Sequence, residues 1–473
     1  MNSPARILPF VLTATLLAGC TVGPDYHPPT TAAPEQWSSA LAGGETNLPA
    51  AGASWWKTFN DPELDSLIAR AAQSNITLRA AWARVRQARA ALGIAAASAR
   101  PALNATGSYT RERYSAQGFP PIPPPIPLDA NVYQVGFDAA WELDIFGGTR
   151  RAVQAAAADI AAAEFGRRDL LVSLYGEVAR NYVQARAMQR RLGIARDNIK
   201  AQRELLALTR DLYNKGLTSQ LDVEQADSLL ASTEAQVPSL ETGFQSAAYH
   251  LGVLLGQPPG ALVAELSADT PLPFPPPAVP VGLPADLMLR RPDIQRAERQ
   301  LAAATARIGA ASSDLFPKFS LTGDIGLQSI SAGDWFTAGS RYWTAGPAVQ
   351  WRIFDAGRIR ANIHAQTARQ EEALANYEQT ALAAFEEVEN ALTAYAREQI
   401  RRQSLARGVR DNQRAVELAR DLYRNGLADF LRVLESQRAL YESQDALVQS
   451  DHAIATDLVA LCKALGGGWE QKQ

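Results

Sequence analysis

The residues of this chain that could carry out catalysis are few and widely separated. The four histidines are scattered along the sequence, at His27, His250, His364 and His452. Their spacing fits neither the zinc motif HExxH nor a plausible order of catalytic triad residues. Three carboxylates, Glu386, Glu387 and Glu389, have spacings typical of a solvated helix face. Cys20 and Cys462 lack the spacing of a metal site or a disulfide framework. Taken together, these residues lead us to expect that the protein is not an enzyme and that it binds no cofactor and no resident metal.

The acylation of Cys20 is the one covalent modification that the sequence predicts. Cys20 follows a segment with a single basic residue, Arg6, an apolar run at 7–17 and two small residues. This pattern predicts a secretory signal at 1–19 that ends in a lipobox; a signal peptide with an accidental cysteine is the alternative. Several acyl chains, each contributing about 0.8 kcal/mol per buried methylene, would anchor the mature protein in a lipid leaflet. Thr21, in place of aspartate, resembles an outer-membrane sorting signal.

The sequence contains a tandem duplication. Asp211–Val223 reads DLYNKGLTSQLDV and Asp421–Val433 reads DLYRNGLADFLRV, with seven of thirteen positions identical at an offset of 210. Upstream of these segments, Trp141–Phe146 resembles Trp351–Phe354. Both copies should therefore fold into the same series of elements.

Each copy contains two segments with period-two alternation, which predicts one β-hairpin per copy. The clearer strands are Asn131–Leu143 and Tyr342–Ile353, and the weaker ones are Leu103–Arg111 and Lys318–Gln328. Strands of about ten residues have the length that crosses a bilayer at a tilt. Aromatic residues near the strand ends resemble an interfacial girdle; a soluble sheet with one wet face is the alternative.

The number of strands predicts an oligomer. The four strands of one chain cannot close into a barrel, and a sheet with open edges is excluded from hydrocarbon. A barrel of eight strands has an interior with room only for side chains. Three chains would supply twelve strands, so we expect a homotrimer that shares one barrel in outer-membrane lipid. The formal charge of −3 gives no indication of a nucleic acid partner. Outside the signal, the sequence contains no run of eighteen apolar residues, so it predicts no transmembrane helix.

A long uninterrupted helical pattern follows each hairpin, at 147–212 and at 355–422. Helices of roughly 65 residues would be about 100 Å long. Gly216 and Gly426 stand where a left-handed residue would end each helix at a turn. Polar residues after each glycine can cap the helix that returns.

The returning helices carry an apolar residue at every seventh position in both copies. These positions are Val223, Leu230, Val237, Phe244 and Leu251, repeated as Val433, Leu440, Leu447, Ile454 and Leu461. The spacing predicts coiled-coil contacts, which Pro238 should interrupt in the first copy. Shorter helices at about 62–99 and about 292–314 precede the two hairpins.

These patterns divide the chain into six segments. In order, they are a signal peptide at 1–19, a lipid-anchored extended segment at 20–61, a first repeat at 62–270 with its hairpin at about 102–143, a proline-rich linker at 271–282, a second repeat at 283–466 with its hairpin at about 318–353, and a tail at 467–473.

Several motifs, in this order along the chain, resemble the TolC-like outer-membrane efflux proteins, and most closely the lipoprotein branch that serves resistance-nodulation-division pumps. The motifs are Cys20–Tyr26 (CTVGPDY), Leu283–Leu287 (LPADL), Arg290–Ile294 (RRPDI), Leu315–Pro317 (LFP) and the two YxxGL turns. The resemblance covers the whole mature chain. It implies a mainly α fold with transmembrane β-strands, in which three chains form a twelve-stranded barrel, a twelve-helix periplasmic barrel and a mixed equatorial domain.

The resemblance also implies a function. The chain would be the outer-membrane exit duct of a tripartite efflux pump and would bind a periplasmic adaptor and an inner-membrane transporter of the resistance-nodulation-division type. Drugs or other toxic small molecules would be its cargo. A duct for secreted polypeptides or for metal efflux, and a structural envelope lipoprotein without a channel, are the alternatives.

In the family, the distal turns form a closed aperture at the periplasmic tip. By position, the gate residues implied here are Tyr213, Asp222, Tyr423, Arg432 and Glu435, beside the turn glycines Gly216 and Gly426. Inward carboxylates from three subunits would constrict the tip and favour cations. The sequence departs from TolC in two places: Ala428 stands where TolC has an arginine involved in closure, and Arg432 stands where it has an aspartate. Charges that merely solvate a helix turn are the alternative.

Overall fold

The computed structural model describes residues 21–29, 33–39, 45–46, 54–118, 121–123, 125–268, 270–274 and 279–469. These residues form two compact units. The first unit contains the described residues of Met1–Thr30 together with Val85–Ala163 and Ala297–Tyr377. The second contains those of Thr31–Arg84, Glu164–Arg296 and Glu378–Gln473. The predicted signal segment and Cys20 lie outside the described residues.

Helices account for most of the described residues. They are α1 (Pro62–Ser74), α2 (Ile76–Ala97), α3 (Gly148–Asn214), α4 (Gln220–Glu234), α5 (Val237–Leu254), α6 (Val263–Leu266), α7 (Pro284–Arg290), α8 (Pro292–Ser313), α9 (Arg358–Arg424) and α10 (Phe430–Ala464). The strands are β1 (Glu45–Thr46), β2 (Ala102–Arg113), β3 (Asp129–Leu143), β4 (Val279–Pro280), β5 (Lys318–Ser329) and β6 (Arg341–Gln350). The mainly α fold with one β-hairpin in each copy confirms the predicted fold class.

The first unit contains a four-stranded antiparallel sheet in the order β2-β3-β5-β6. Each hairpin supplies two adjacent strands, and the pairing of β3 with β5 joins the two copies into one sheet. Strands β2 and β6 are therefore the two edges of the sheet. In the second unit, β1 and β4 form a two-residue parallel pair.

The start of the second unit differs from the single helix expected at about 62–99. Asp61 caps α1 by accepting hydrogen bonds from the backbone N–H groups of Glu63 and Leu64 at 2.9 and 3.1 Å. The chain then breaks at Asn75, which is extended. The Asn75 side chain accepts from the Leu78 N–H at 2.9 Å and donates to the Leu254 carbonyl at 2.8 Å. These bonds start α2 and attach the break to α5, so the prediction of one helix was wrong.

The returning helices follow the predicted seven-residue spacing. None of the ten apolar residues is exposed, and Leu230, Leu251, Val433, Ile454 and Leu461 are buried. The first copy is interrupted between α4 and α5, with Pro238 at the second position of α5, whereas α10 is continuous. The predicted interruption at Pro238 is confirmed.

The main core of the second unit lies beside α1, away from the turns. It contains Trp55, Trp56 and buried aliphatic residues of α1, α3, α5, α9 and α10. Arg186 is fully buried beside this core and pairs with Glu63, while it also donates to the carbonyls of Leu266 and Ala268 at 3.0 and 2.8 Å. Among the described residues, no helix is both long enough and apolar enough to cross a membrane.

The last strand is shorter than expected. It ends at Gln350, which pairs with Lys318, the first residue of β5. Pro317 lies outside β5, so the ladder between β5 and β6 has no pair beyond Lys318 and Gln350 in the described sheet. Residues Trp351 and Ile353 therefore lie beyond the sheet, although their alternation continues that of the strand.

Candidate functional site

Both long helices end in the same hydrogen-bonded turn. Gly216 and Gly426 adopt the left-handed conformation, with φ of 73° and 67°. Their N–H groups donate to the carbonyls of Tyr213 and Tyr423 at 2.8 and 3.0 Å, and the next residues donate to the carbonyls of Leu212 and Leu422. This is the Schellman arrangement, which glycine adopts without a steric penalty. The two turns are therefore equivalent in backbone.

The helix after the first turn begins with a capping box. Asp222 accepts hydrogen bonds from the Thr218 hydroxyl and, at 3.1 Å, from the Ser219 N–H, while its own N–H donates to the Ser219 hydroxyl at 3.3 Å. Burial raises the pKa of Asp222, but the hydrogen bonds from Thr218 and Ser219 outweigh it and hold the pKa below its usual value. The carboxylate is thus ionised and bonded within its own turn.

The second turn has a simpler cap. Asp429 accepts a hydrogen bond from the Arg432 N–H at 3.1 Å. The side chains of Arg432 and Glu435 are exposed. No hydrogen bond or ion pair within the described chain joins Arg432 to Asp222 or Glu435, so the predicted gate charges are not locked to one another inside one chain.

The two predicted gate tyrosines have different surroundings. Tyr423 packs edge-on against Phe430, with ring centroids 5.6 Å apart, and its hydroxyl is buried without a hydrogen-bond partner in the described residues. Tyr213 has no aromatic ring packed on it within the described part of the chain, because the position equivalent to Phe430 is the exposed Gln220. The Tyr213 side chain is 42% exposed. The duplication therefore supplies one packed tyrosine and one exposed tyrosine.

A common apolar cluster holds the two turns together in the second unit. Phe430 and Val433 from α10 pack with Ala226 and Leu230 from α4, and with residues of α3 and α9. Tyr423 and Val223 lie against the same cluster. The turns and their gate candidates are thus one packed assembly, which the heptad pattern predicted in part. Phe430 was missed because it lies outside that pattern.

The sheet of the first unit has two unlike faces. One face carries large apolar side chains that are exposed in the single chain, and they include Leu103, Phe137, Ile325 and Trp343. Trp343, for example, is 75% exposed. The opposite face carries small and polar residues, including the cross-strand row Asn104, Asp138, Asp324 and Thr344. So much exposed apolar surface on one face indicates contact with lipid or protein.

Aromatic side chains lie at both ends of the apolar face. At the end nearest the helices, the indole N–H groups of Trp141 and Trp351 donate to the carbonyls of Ala99 and Leu315 at 2.9 and 3.1 Å. At the other end, the rings of Tyr109, Tyr133 and Trp335 are in contact in series, each tilted against the next. Tyr133 and Trp141 are eight residues apart, which is about 27 Å along the strand. An apolar band about 25 Å tall between aromatic girdles is typical of membrane barrels.

The segment that follows Cys20 is held in place in the first unit. The Val22 N–H donates to the Phe146 carbonyl at 3.1 Å, and Arg151 donates to the Asp25 carboxylate at 2.8 Å. Gly23 has φ of 88° and approaches Gly309 so closely that a Cβ would lie 2.3 Å from its Cα atom. Residues 21–26 of this motif are therefore a docked segment whose glycine permits a close contact.

Two comparisons with known proteins agree with this geometry. The sequence profile described as "Outer membrane efflux protein" matches residues 67–257 and 283–467. Pyoverdine export outer membrane protein OpmQ of Pseudomonas aeruginosa is 36% identical over 466 residues, which is 98% of this chain and 97% of that protein. Nodulation protein T of Rhizobium leguminosarum bv. trifolii is 32% identical over 458 residues, which is 96% of each chain.

Solved structures of similar fold are also channels. The outer-membrane channel OprN matches with a TM-score of 0.89 and 36% identity, over 96% of this chain and 100% of that chain. The open state of the Neisseria gonorrhoeae MtrE outer membrane channel matches with a TM-score of 0.81 and 28% identity, over 95% and 99% of the two chains.

The two-faced sheet, the duplicated helix pairs and these matches define a TolC-like channel protein of the outer membrane. The chain belongs to the outer membrane efflux protein family. It is an outer-membrane efflux channel, and the predicted family and function are confirmed.

Proposed function

We propose that three copies of this chain form the outer-membrane duct of a tripartite pump. The observation that carries this proposal is the four-stranded sheet, which exposes an apolar face and has open edges at β2 and β6. Unpaired backbone groups at an edge are costly in hydrocarbon, and closure removes both edges. When β6 of one copy pairs with β2 of the next, three copies give twelve strands around a lumen lined by the polar face. The repeats at 62–270 and 283–466 are the proposed building units.

The two helix turns form the gate of this duct. The buried Tyr423 hydroxyl supports this role, because a buried hydroxyl without a partner is costly and a neighbouring copy can supply one. Asp222, Arg432 and Glu435 present charges at the same end of the helices, and Tyr213 presents an exposed ring. Three copies place these charges around one opening, where carboxylates favour cations.

The gate is tested by changing charge without changing fold. Asp222→Asn keeps an oxygen that can accept the capping hydrogen bonds, and Glu435→Gln keeps side-chain length. The double variant, reconstituted in planar bilayers, should lose cation selectivity relative to the wild type. Ser219→Ala, which removes a cap hydroxyl and keeps both charges, is the control. Unchanged current and selectivity in the double variant would remove these carboxylates from the gate.

A second test addresses Tyr423. Replacing Tyr423 with Phe removes only the hydroxyl, so the closed state should loosen and bulky antibiotics should enter cells that carry this variant. Tyr213→Phe, at the exposed equivalent position, is the matched control. If Tyr423→Phe cells exclude the antibiotics as well as wild-type cells do, the hydroxyl has no part in closure.

The mature chain is anchored through acylated Cys20. The docking of Val22 and Gly23 beside Phe146 and Gly309 supports this proposal, because residue 20 is then two residues from an attachment point close to the end of β3. Labelled palmitate should enter the wild type and not Cys20→Ser, whereas Cys462→Ser should label normally because Cys462 is buried. Incorporation into Cys20→Ser would contradict the anchor.

The partners are a periplasmic adaptor and an inner-membrane transporter of the resistance-nodulation-division type, and the cargo is toxic small molecules. The names of relatives support a shared duct with varied cargo: pyoverdine export in OpmQ, toluene efflux in TtgC and cation efflux in CusC. A deletion strain should become sensitive to several unrelated compounds and recover with the wild-type gene. Sensitivity to a single metal salt would favour metal efflux instead.

A further inference from the structure

The centre of β3 contains a residue that is buried on an otherwise open strand. Gly136 is buried, while the residues on both sides of it along β3 are exposed or half-buried. It lies at the middle of the strand Asp129–Leu143. A glycine inside a strand often marks a site where another group approaches closely, and here that group can be identified.

The group above Gly136 is the phenol ring of Tyr342. Gly136 pairs directly with Gly326 on β5, and Gly326 pairs directly with Tyr342 on β6. A Cβ at Gly326 would lie 2.9 Å from Tyr342 Cε1, and a Cβ at Gly136 would lie 3.1 Å from the Tyr342 hydroxyl. The ring therefore lies flat across two strands, in the space that two missing side chains leave.

The ring is also tethered at its far end. Gln134 Nε2 donates a hydrogen bond to the Tyr342 hydroxyl at 2.8 Å. Gln134, Gly136, Gly326 and Tyr342 all lie on the polar face of the sheet, whereas Trp343 lies on the apolar face. The two glycines leave space for the Tyr342 ring, and the hydrogen bond from Gln134 holds its hydroxyl end. Together they keep this large aromatic side chain parallel to the sheet.

We propose that Tyr342 sets the free width of the barrel lumen at mid-height and so limits the size of the molecules that pass. This inference rests on the proposed function, because the polar face lines a lumen only in the closed barrel. Held flat, each phenol ring narrows the lumen by only its own thickness, whereas a ring standing upright would project inward and narrow it further. Pore diameter is one of the main determinants of what a channel conducts.

The experiment measures access to a thiol placed beyond Tyr342. Ala140→Cys puts that thiol on the polar face of β3, four residues nearer the helices than Gly136. Reagents added from outside the cell must pass Tyr342 to reach it, so the periplasmic gate does not limit the reaction. The probes are N-ethylmaleimide, which is small, and a maleimide carrying a polyethylene glycol chain, which is bulky. The protein without Ala140→Cys gives the background, because Cys462 is buried.

The ratio of bulky to small labelling rates is the readout. In the Ala140→Cys background, Tyr342→Ala should raise the ratio, because the ring no longer narrows the lumen. Gln134→Met, which keeps the side-chain volume and removes the hydrogen-bond donor, should lower the ratio because the Tyr342 ring is then free to stand upright in the lumen. A methyl group at Gly326 would press on the Val135 carbonyl oxygen at 2.4 Å, so glycine variants are avoided.

The control is Trp343→Ala, which removes a ring of similar size from the opposite face of the same strand. It should leave the ratio at the wild-type value. An unchanged ratio in Tyr342→Ala, or an equal rise in Trp343→Ala, would overturn the inference, and an unchanged ratio in Gln134→Met would remove the tether. If N-ethylmaleimide itself fails to label Ala140→Cys from outside, the polar face does not line a lumen open to the outside, and the proposed duct fails together with the role of Tyr342.

Discussion

At the scale of single residues, Asp222 combines a structural role with a proposed gating role. Its carboxylate completes the capping box of α4 by accepting hydrogen bonds from Thr218 and Ser219. The same carboxylate is a gate candidate by resemblance. Substitution by alanine removes both roles at once, and only the asparagine variant separates them.

The cap predicts a pH dependence for the first turn. Because the pKa of Asp222 is lowered in the fold, the ionised carboxylate stabilises the turn above the pKa of an unfolded aspartate, about 3.9, and this contribution is lost as the pH falls through the lower folded value. At neutral pH, Asp222→Ala should lower the free energy of unfolding by about 1 kcal/mol, the net worth of a hydrogen bond in the capping box. Hydrogen exchange at 211–230 should then be about fivefold faster than in the wild type.

The control for this effect is Asp222→Asn, which should exchange more slowly than Asp222→Ala and faster than the wild type, because it keeps an acceptor and loses the charge. Once the wild-type carboxylate is protonated, the wild type should exchange at the rate of Asp222→Asn, because both side chains then present a neutral acceptor oxygen. An equally fast exchange in both variants at neutral pH would mean that charge, and not the capping bond, stabilises the turn.

Asp457 shows the opposite behaviour. Burial, with a smaller contribution from the charge of Glu398, raises the pKa of Asp457 to about 6. Its ionised form is therefore unfavourable in the fold, and stability falls as the pH rises from about 3.9, the unfolded value, to about 6. Asp457→Asn should raise the melting temperature at pH 8 and leave it unchanged well below pH 4.

Asp451→Asn provides a contrast, because Asp451 pairs with Arg402. Loss of this ion pair in Asp451→Asn should lower the melting temperature at pH 8. Thermal denaturation followed by circular dichroism at the two pH values measures both variants. A lower melting temperature for Asp457→Asn at pH 8 would show that its charge is stabilised by a group outside the described chain.

At the scale of elements, the two turns depend on glycine for a reason that ordinary helix propensity does not give. Gly426 has a positive φ, and an alanine there costs roughly 1–2 kcal/mol. A Cβ added at Gly408, inside α9, would meet no described atom within 4 Å apart from the nearby backbone of its own helix, so Gly408→Ala should stabilise the protein by about 0.5–1 kcal/mol. Melting temperatures of the two variants should therefore shift in opposite directions. A shift of the same sign would contradict the role of the turn.

The sequence predicted these elements where a local pattern determines them. Period-two alternation located the four strands of the sheet, and the glycines and seven-residue spacing located the turns and returning helices. The pattern failed at Asn75, where a side-chain amide bonds across to the Leu254 carbonyl, and at Trp351, where the partner strand begins at Lys318. In both cases the structure depends on contact with a residue that is distant in the sequence, and a local sequence pattern carries no information about such a contact.

The functional surfaces were predicted less completely than the elements. The family resemblance pointed to the gate residues, yet the cap that holds Asp222 and the ring contact of Tyr423 with Phe430 follow from tertiary packing. Glycines at 136 and 326 inside strands were the one signal for the site of Tyr342. Their direct pairing, and the ring that lies above them, could not be read without the register of β3, β5 and β6.

At the scale of the whole molecule, the duplication produces two similar hairpins of strands and two dissimilar hairpins of helices. The strand hairpins join into one sheet with free edges on both sides. The helix hairpins differ: α4 and α5 are interrupted at Pro238, and α10 is continuous with Phe430 packed at its start. A single chain therefore exposes the surfaces that further copies would cover.

The most direct measurement of the central proposal is electron cryomicroscopy of the purified protein in lipid nanodiscs. We predict particles with threefold symmetry, in which β6 of each copy pairs with β2 of the next and twelve strands surround a hollow lumen. Single copies in the nanodisc, or a closed assembly with a solid core, would contradict the proposal that each chain contributes one third of a shared duct.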